Sequence, residues 1–198
     1  MRNSTFDIMS RGKALRHTWR VAALTVALMG AGLQVGYCHG SDLGAPEFSG
    51  GSYASVDQFG FSNEASVKQQ GLAHTAYLSQ FGAGNEIKSS QRGQDNLGAA
   101  TQAGEDNVIS LNQAGSNNDA YISQFGLGND ASVKQKGHGN DAVIIQAGYS
   151  NDASIRQTGN GKVAVVGQFG SDNTADISVN KNVTITQFGN GMNVKLTQ

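Results

Sequence analysis

The chain has 198 residues, with 27 Gly, one Pro, one Cys and a formal net charge of −1. So little charge and almost no Pro fit a β-stacking chain and run against a disordered one. No basic excess points to nucleic acid, and a single cysteine excludes an internal disulfide framework.

Residues 1–40 read as a secretory signal peptide. Arg11, Lys13, Arg16 and Arg20 form a basic stretch ahead of a short apolar run, Val21 to Met29, and small and polar residues follow. The run is too short to span a membrane, so no transmembrane segment is expected in the mature chain. Cleavage is expected after Gly40, with Gly36 as the other option. Cys38 invites a lipoprotein reading, but the bulky Tyr37 stands where that signal needs a small residue. Loss of Cys38 with the leader would leave a mature chain free of disulfides. Residues 41–51 hold the only Pro, Pro46, and no repeat. They are expected to be a flexible N-terminal segment.

From residue 52 to 198 an eleven-residue repeat runs almost unbroken. Gln recurs at Gln58, Gln69, Gln80, Gln91, Gln102, Gln113, Gln124, Gln135, Gln146, Gln157 and Gln168. Gly follows two residues later at Gly60, Gly71, Gly82, Gly93, Gly104, Gly115, Gly126, Gly137, Gly148, Gly159 and Gly170. Asn stands five after the Gln at Asn63, Asn85, Asn96, Asn107, Asn118, Asn129, Asn140, Asn151 and Asn173, with His74 and Lys162 as exceptions. Such a period has a helical reading, a right-handed supercoil. A Gly in every repeat rules it out, since each costs a helix interior about 1 kcal/mol against Ala.

The strand reading fits. In Asn129 to Gln135 the positions 129, 131, 133 and 135 share one face and read Asn, Ala, Val, Gln, because side chains alternate along a strand. Each repeat is then a short strand closed by a Gly turn, and two strands make one rung. Rungs stack about 4.8 Å apart, which places identical amides above one another as ladders. The fold class is therefore all-β: a β-solenoid or cross-β stack of strand–turn–strand rungs with about fourteen strands and seven rungs, roughly 34 Å long. Ala at positions such as Ala131 and larger residues such as Val133, Ile144 and Ile155 are expected to fill a thin core.

Departures from the repeat carry information. The strands ending at Gln91 and Gln102 offer Ile87, Ser89, Gly98 and Ala100 to the core, and the loosest rung is expected there. Later, Val179 replaces Gln, Lys181 replaces Gly, and the spacing shortens by three before Gln187. Two strands follow, with Val183 and Ile185 in one and Val194 and Leu196 in the other, and Gln198 in the repeat position. These are expected to be terminal templating or anchoring strands. With no capping element after Gln198, the column is expected to be open at its ends, and open edges recruit other chains.

The repeats hold no arrangement for catalysis, metal or cofactor. His74 and His138 occupy different repeat positions, and no Ser-His-Asp set is evident. The Asn-Asp pairs such as 129–130 and 140–141 resemble calcium β-rolls only superficially, since those use a nonapeptide. They read instead as solvated outward charge. Phe59, Phe81, Phe125, Phe169 and Phe188 sit beside turns and are expected to stack along the column.

The motif Gln-x-Gly-x-x-Asn-x-Ala-x-x-x-Gln, as in Gln124 to Gln135, resembles the curlin repeat of bacterial curli fibres. The likeness covers residues 52–198. It implies a functional amyloid of the biofilm matrix and of cell adhesion: a fimbrial protein outside the cell that crosses the outer membrane through the curli export pore, meets surface accessory factors, and folds onto a growing fibre of itself and the major curlin subunit. Asn rather than Ser at the position six before Gln, phrases such as NDASVKQ (129–135) and an irregular, charged last repeat resemble the minor subunit, the nucleator. The length exceeds that subunit's usual five rungs. The other readings are the major subunit and a soluble β-solenoid that binds a surface. The irregular outward row Asp57, Lys68, Ser79, Ser90, Thr101, Asn112 speaks against the last, and uniform turns speak against an enzyme.

Overall fold

The computed structural model describes residues 24–27, 34–41 and 51–198. Among these it is all strand: β1 (Leu24–Ala27), β2 (Gln34–Ser41), β3 (Tyr53–Phe61), β4 (Glu64–Leu72), β5 (Thr75–Ala83), β6 (Glu86–Gln94), β7 (Leu97–Glu105), β8 (Val108–Ser116), β9 (Asp119–Leu127), β10 (Asp130–His138), β11 (Asp141–Tyr149), β12 (Asp152–Asn160), β13 (Val163–Ser171), β14 (Thr174–Val179), β15 (Val183–Asn190) and β16 (Asn193–Thr197).

Period two inside period eleven explains the wind. Each strand of the repeat is short, and its partner is the strand two further on. The even strands β4 to β16 form one sheet and the odd strands β3 to β15 the other. Consecutive strands thus lie in opposite sheets, and β3 to β16 make seven rungs. Pairing along each sheet is parallel, with identical positions opposite: Ala131 faces Ala153 and Gln135 faces Gln157. Each strand serves as the crossover for its neighbours in the other sheet, which satisfies the long connection a parallel pair needs.

The three-residue shortening is absorbed in the last rung. There Gln168 pairs with Gln187 and Ala175 with Val194, a 19-residue offset in place of 22. The other end is not open as expected: β1 lies antiparallel on β4 and β2 antiparallel on β3, covering both strands of the first rung. Parts of the residues read as signal peptide and flexible segment, 1–23, 28–33 and 42–50, lie outside the described residues.

The core is one thin layer between the sheets, built from the inward positions alone. Ala120, Ala131, Ala142 and Ala153 are fully buried, as are Ile109, Ile144, Ile155 and Ile177. Interiors of this kind gain about 25 cal/mol per Å² of apolar surface removed from water.

The strands expected to be loosest, ending at Gln91 and Gln102, do not share a rung. Ser89 stands on β6 and Gly98 on β7, and these strands belong to successive rungs and opposite sheets. Ile87 is fully buried. The room left by Gly98 is taken by Leu111, whose Cδ2 would lie 2.6 Å from a Cβ built on that glycine. What remains is a polar defect: Ser89 Oγ is buried with no hydrogen-bond partner.

Candidate assembly interface

A buried amide is stable only when its donors and acceptor are used. In the odd-strand sheet a row of glutamines achieves this by stacking. Nε2 of each donates to Oε1 of the next: Gln58 to Gln80 at 2.6 Å, Gln80 to Gln102 at 3.0 Å, Gln102 to Gln124 at 2.9 Å, and on through Gln146 and Gln168 to Gln187 at 2.8 Å. In the even-strand sheet Gln69, Gln91, Gln113, Gln135 and Gln157 form the second ladder, at 2.9 to 3.1 Å. The same Nε2 groups also reach backbone carbonyls of the corner, as Gln80 does with Glu64 at 3.0 Å and Asn85 at 2.8 Å. Each glutamine inside the ladders, from Gln69 to Gln146 and at Gln168, therefore ties its strand to the next rung and to the opposite sheet.

Asparagine builds the corners in the same way. The series Asn63, Asn85, Asn107, Asn129, Asn151 and Asn173 is linked by Nδ2 to Oδ1 bonds of 2.9 to 3.1 Å. A second series holds Asn96, Asn118 and Asn140. Nδ2 of Asn129 also donates to Gly148 O at 3.1 Å. The two kinds of ladder run in opposite senses. Glutamine amides donate toward the later rung, asparagine amides toward the earlier one. At the first rung the Oε1 of Gln58 is accordingly buried and unpaired.

The turn glycines hold the corner tight. All eleven have φ between +104° and +134°. At Gly126 an added Cβ would meet the carbonyl oxygen of Gly148 at 2.0 Å. The strand-to-strand spacing itself leaves no room for a side chain there.

Sequence exceptions show how the ladder tolerates change. His74 takes an asparagine's place and is buried. Its Nδ1 accepts from the backbone N–H of Asn96 at 3.4 Å while Nε2 lies 3.2 Å from Gln70 O. Burial holds its pKa below the ordinary value, against the opposing pull of the Gln70 carbonyl and Asp95. Lys162 and Met192 keep only the backbone half of the bond, to Asn140 at 3.2 Å and Asn173 at 3.1 Å. Three asparagines outside the repeat position act as additional acceptors. Asn160, Asn182 and Asn190 receive the backbone N–H groups of His138, Val163 and Ser171. Their signal was present, since each lies near a corner.

Gln198 is the exception among the glutamines assigned to the ladder. It is exposed, and β16 places it over Val179, which has no amide to offer. Val179 thus ends the even-strand ladder at Gln157, whose Nε2 turns to Asp141 O and Lys162 O. The terminal strands β15 and β16 are the outermost of their sheets. Val183, Ile185 and Leu196 are half-buried against the core, and Val194 is half-buried too. Among the described residues no strand pairs with the outer edge of either.

Phe59 and Phe81 stack at 6.4 Å between ring centroids, and Phe169 and Phe188 at 5.1 Å. Phe125 has Ala103 and Ala147 as its neighbours instead. Among the described residues, no group of three or more His, Cys, Asp or Glu is placed to hold a metal, and no helix is long and apolar enough to cross a membrane.

The family model of the curlin associated repeat matches residues 51–82, 93–126, 104–137, 126–159 and 148–178, together more than half of the chain. No curated protein and no solved structure matches the chain.

Proposed function

Because the chain belongs to the curlin associated repeat family, whose members are structural amyloid subunits of extracellular curli fibres, we propose that it is a secreted curli subunit that assembles by strand addition. Within that role it is the minor subunit, which nucleates polymerisation of the major subunit at the cell surface, in biofilm matrix and adhesion. Its partners are copies of itself, the major curlin subunit, the curli export pore and surface accessory factors.

The observation that supports assembly is the outer edge of β15 and β16. A parallel edge beyond which no described strand lies, reached by the odd-strand amide ladder at Gln187, is a template for the next rung. Gln187 there holds its Nε2 on Thr174 O at 3.1 Å and Met192 O at 3.0 Å, as interior glutamines do. The terminal rung also supports the nucleator reading. Val179 lies at the end of the strand beneath it, and Lys181 and Met192 stand in the corners on either side of β15, so the first added chain meets an end unlike the body of the column.

A seeding assay tests this. Purified residues 41–198 are added in sub-stoichiometric amount to the major curlin of the same source, and the lag before fibre growth is followed. Loss of the lag at low molar ratio is the expected result. A chain that forms fibres alone yet seeds no better than fibres of the major subunit is a bulk subunit. A chain that does neither is not a curli subunit of either kind.

A further inference from the structure

The two outer faces of the column differ in kind. Lys68, Lys88, Arg92, Lys134, Arg156 and Lys195 all stand on even strands, while the odd strands β3 to β15 contain no Lys or Arg. The exposed aromatics lie the other way round. Phe59, Phe81, Tyr121, Phe125, Tyr149 and Phe188 are on odd strands and are each at least 39 % exposed. Isolated exposed apolar groups are normal, but a continuous apolar face on one side of a polar column is an interaction surface.

That face has relief. Strands β5 and β9 raise Tyr77 with Phe81 and Tyr121 with Phe125, whereas β7 presents Ala99 with Ala103 and β11 presents Val143 with Ala147. From β5 to β11 ridges and troughs thus alternate at the inter-strand spacing, while at the flanks Phe59 on β3 and Phe169 on β13 each stack on a neighbouring phenylalanine.

We propose that this odd-strand face packs against the same face of a second copy of the chain, about a twofold axis parallel to the strands and midway between β7 and β9. The operation sets β7 opposite β9, β5 opposite β11 and β3 opposite β13, as an isologous contact requires. Tyr121 and Phe125 then lie over Ala99 and Ala103 of the second copy, and Tyr77 and Phe81 over Val143 and Ala147. The acids of the face are separated as well. Glu105 meets Leu127, Asp57 meets Gly167, Asp119 meets Leu97 and Asp141 meets Thr75 of the other copy, so no carboxylate faces another.

The size is sufficient. Six overlapping strands of nine residues cover roughly 29 Å by 30 Å, about 850 Å² on each copy at the standard rise and spacing. A stable protein interface buries about 800 Å² per partner. The even-strand face, with its excess of cations, has no such self-complementarity.

Thiol cross-linking tests the contact. In full-length chain carrying Cys38→Ser, Phe81→Cys and Ala147→Cys are prepared separately, mixed, and treated with a short bis-maleimide whose reach of about 10 Å matches the spacing of packed sheets. In the proposed pair the two copies of either position are offset by three strands, about 14 Å, so like variants lie beyond that reach. The expected product is a mixed cross-linked dimer, formed well above the yield of either variant alone. A mixture that links no better than its components overturns the proposal. Ala103→Arg added to both chains places a charge in the trough, and the mixed product is expected to fall about tenfold or more. Ser110→Arg, on the outer face of β8, leaves the yield unchanged. Equal yields from the Ala103→Arg and Ser110→Arg pairs also overturn it.

Discussion

Asn151 donates twice to the same oxygen of Asn129, through Nδ2 at 2.9 Å and through its backbone N–H at 3.2 Å. The two residues are 22 apart in sequence and both are buried. One side chain thereby satisfies a corner of the next rung, and copying the bond rung after rung turns a sequence repeat into a column.

Asn129→Ala removes that oxygen, which takes the partner of the Asn151 backbone N–H and one of the two partners of its Nδ2, leaving Nδ2 on Gly170 O at 2.9 Å. Each such loss costs about 1–3 kcal/mol, so the substitution is expected to destabilise the fold by about 2–5 kcal/mol. Guanidinium denaturation of the folded chain measures it, with Ser132→Ala on an outward position of β10 as the silent control.

Gly126→Ala is expected to be more severe. The new Cβ has nowhere to go at 2.0 Å from Gly148 O, and φ of +119° disfavours it independently. Opening the corner breaks the register of β9 against β11, and a loss above about 4 kcal/mol belongs to such a backbone clash. Failure of the variant to fold, read by far-ultraviolet circular dichroism, is the expected result.

Ser89→Ala is expected to stabilise. Its Oγ is buried without a partner, and the desolvation cost of an unpaired hydroxyl is about 1–3 kcal/mol. A rise of the denaturation midpoint equivalent to about 1 kcal/mol is predicted.

Acid acts on this fold through two opposed groups. His74 is held below its ordinary pKa by burial. A depressed value means that the unfolded chain binds the proton more readily, so the stability His74 contributes is complete above about pH 6.5. It is lost as pH falls through the lower folded value. Asp119 and Asp130 behave oppositely. Burial first, and then the stacked Asp141 and Asp152, raise their pKa. Their contribution is complete below about pH 4 and is lost as pH rises through the higher folded values. His74→Asn supplies the repeat's own residue and is expected to flatten the decline in stability between pH 7 and pH 5, measured by denaturation midpoints at both.

Much of this was readable in advance from particular residues. Gln at every eleventh place with Ala and Val between fixed strand length, inward face and rung count. The sense of the amide ladders was not readable, because it depends on which way each side chain turns at its corner. Gln198 was placed in the ladder by spacing alone, yet a ladder needs an amide beneath, and Val179 supplies none. Ser89 and Gly98 look adjacent in sequence order but fall in opposite sheets, since a rung holds two strands. The same parity hid the two faces. Lys68, Lys134 and Arg156 share a repeat position with Ser79, Ser123 and Ile145, and only a 22-residue period separates the charged set from the neutral one.

The most direct test is assembly of purified residues 41–198 without any partner, followed by thioflavin fluorescence and fibre diffraction. Growth into fibres with a reflection at about 4.8 Å along the fibre axis is the predicted result, since β15 and β16 present a free parallel edge. A chain that stays monomeric by gel filtration for days, folded but with no thioflavin signal, would contradict it.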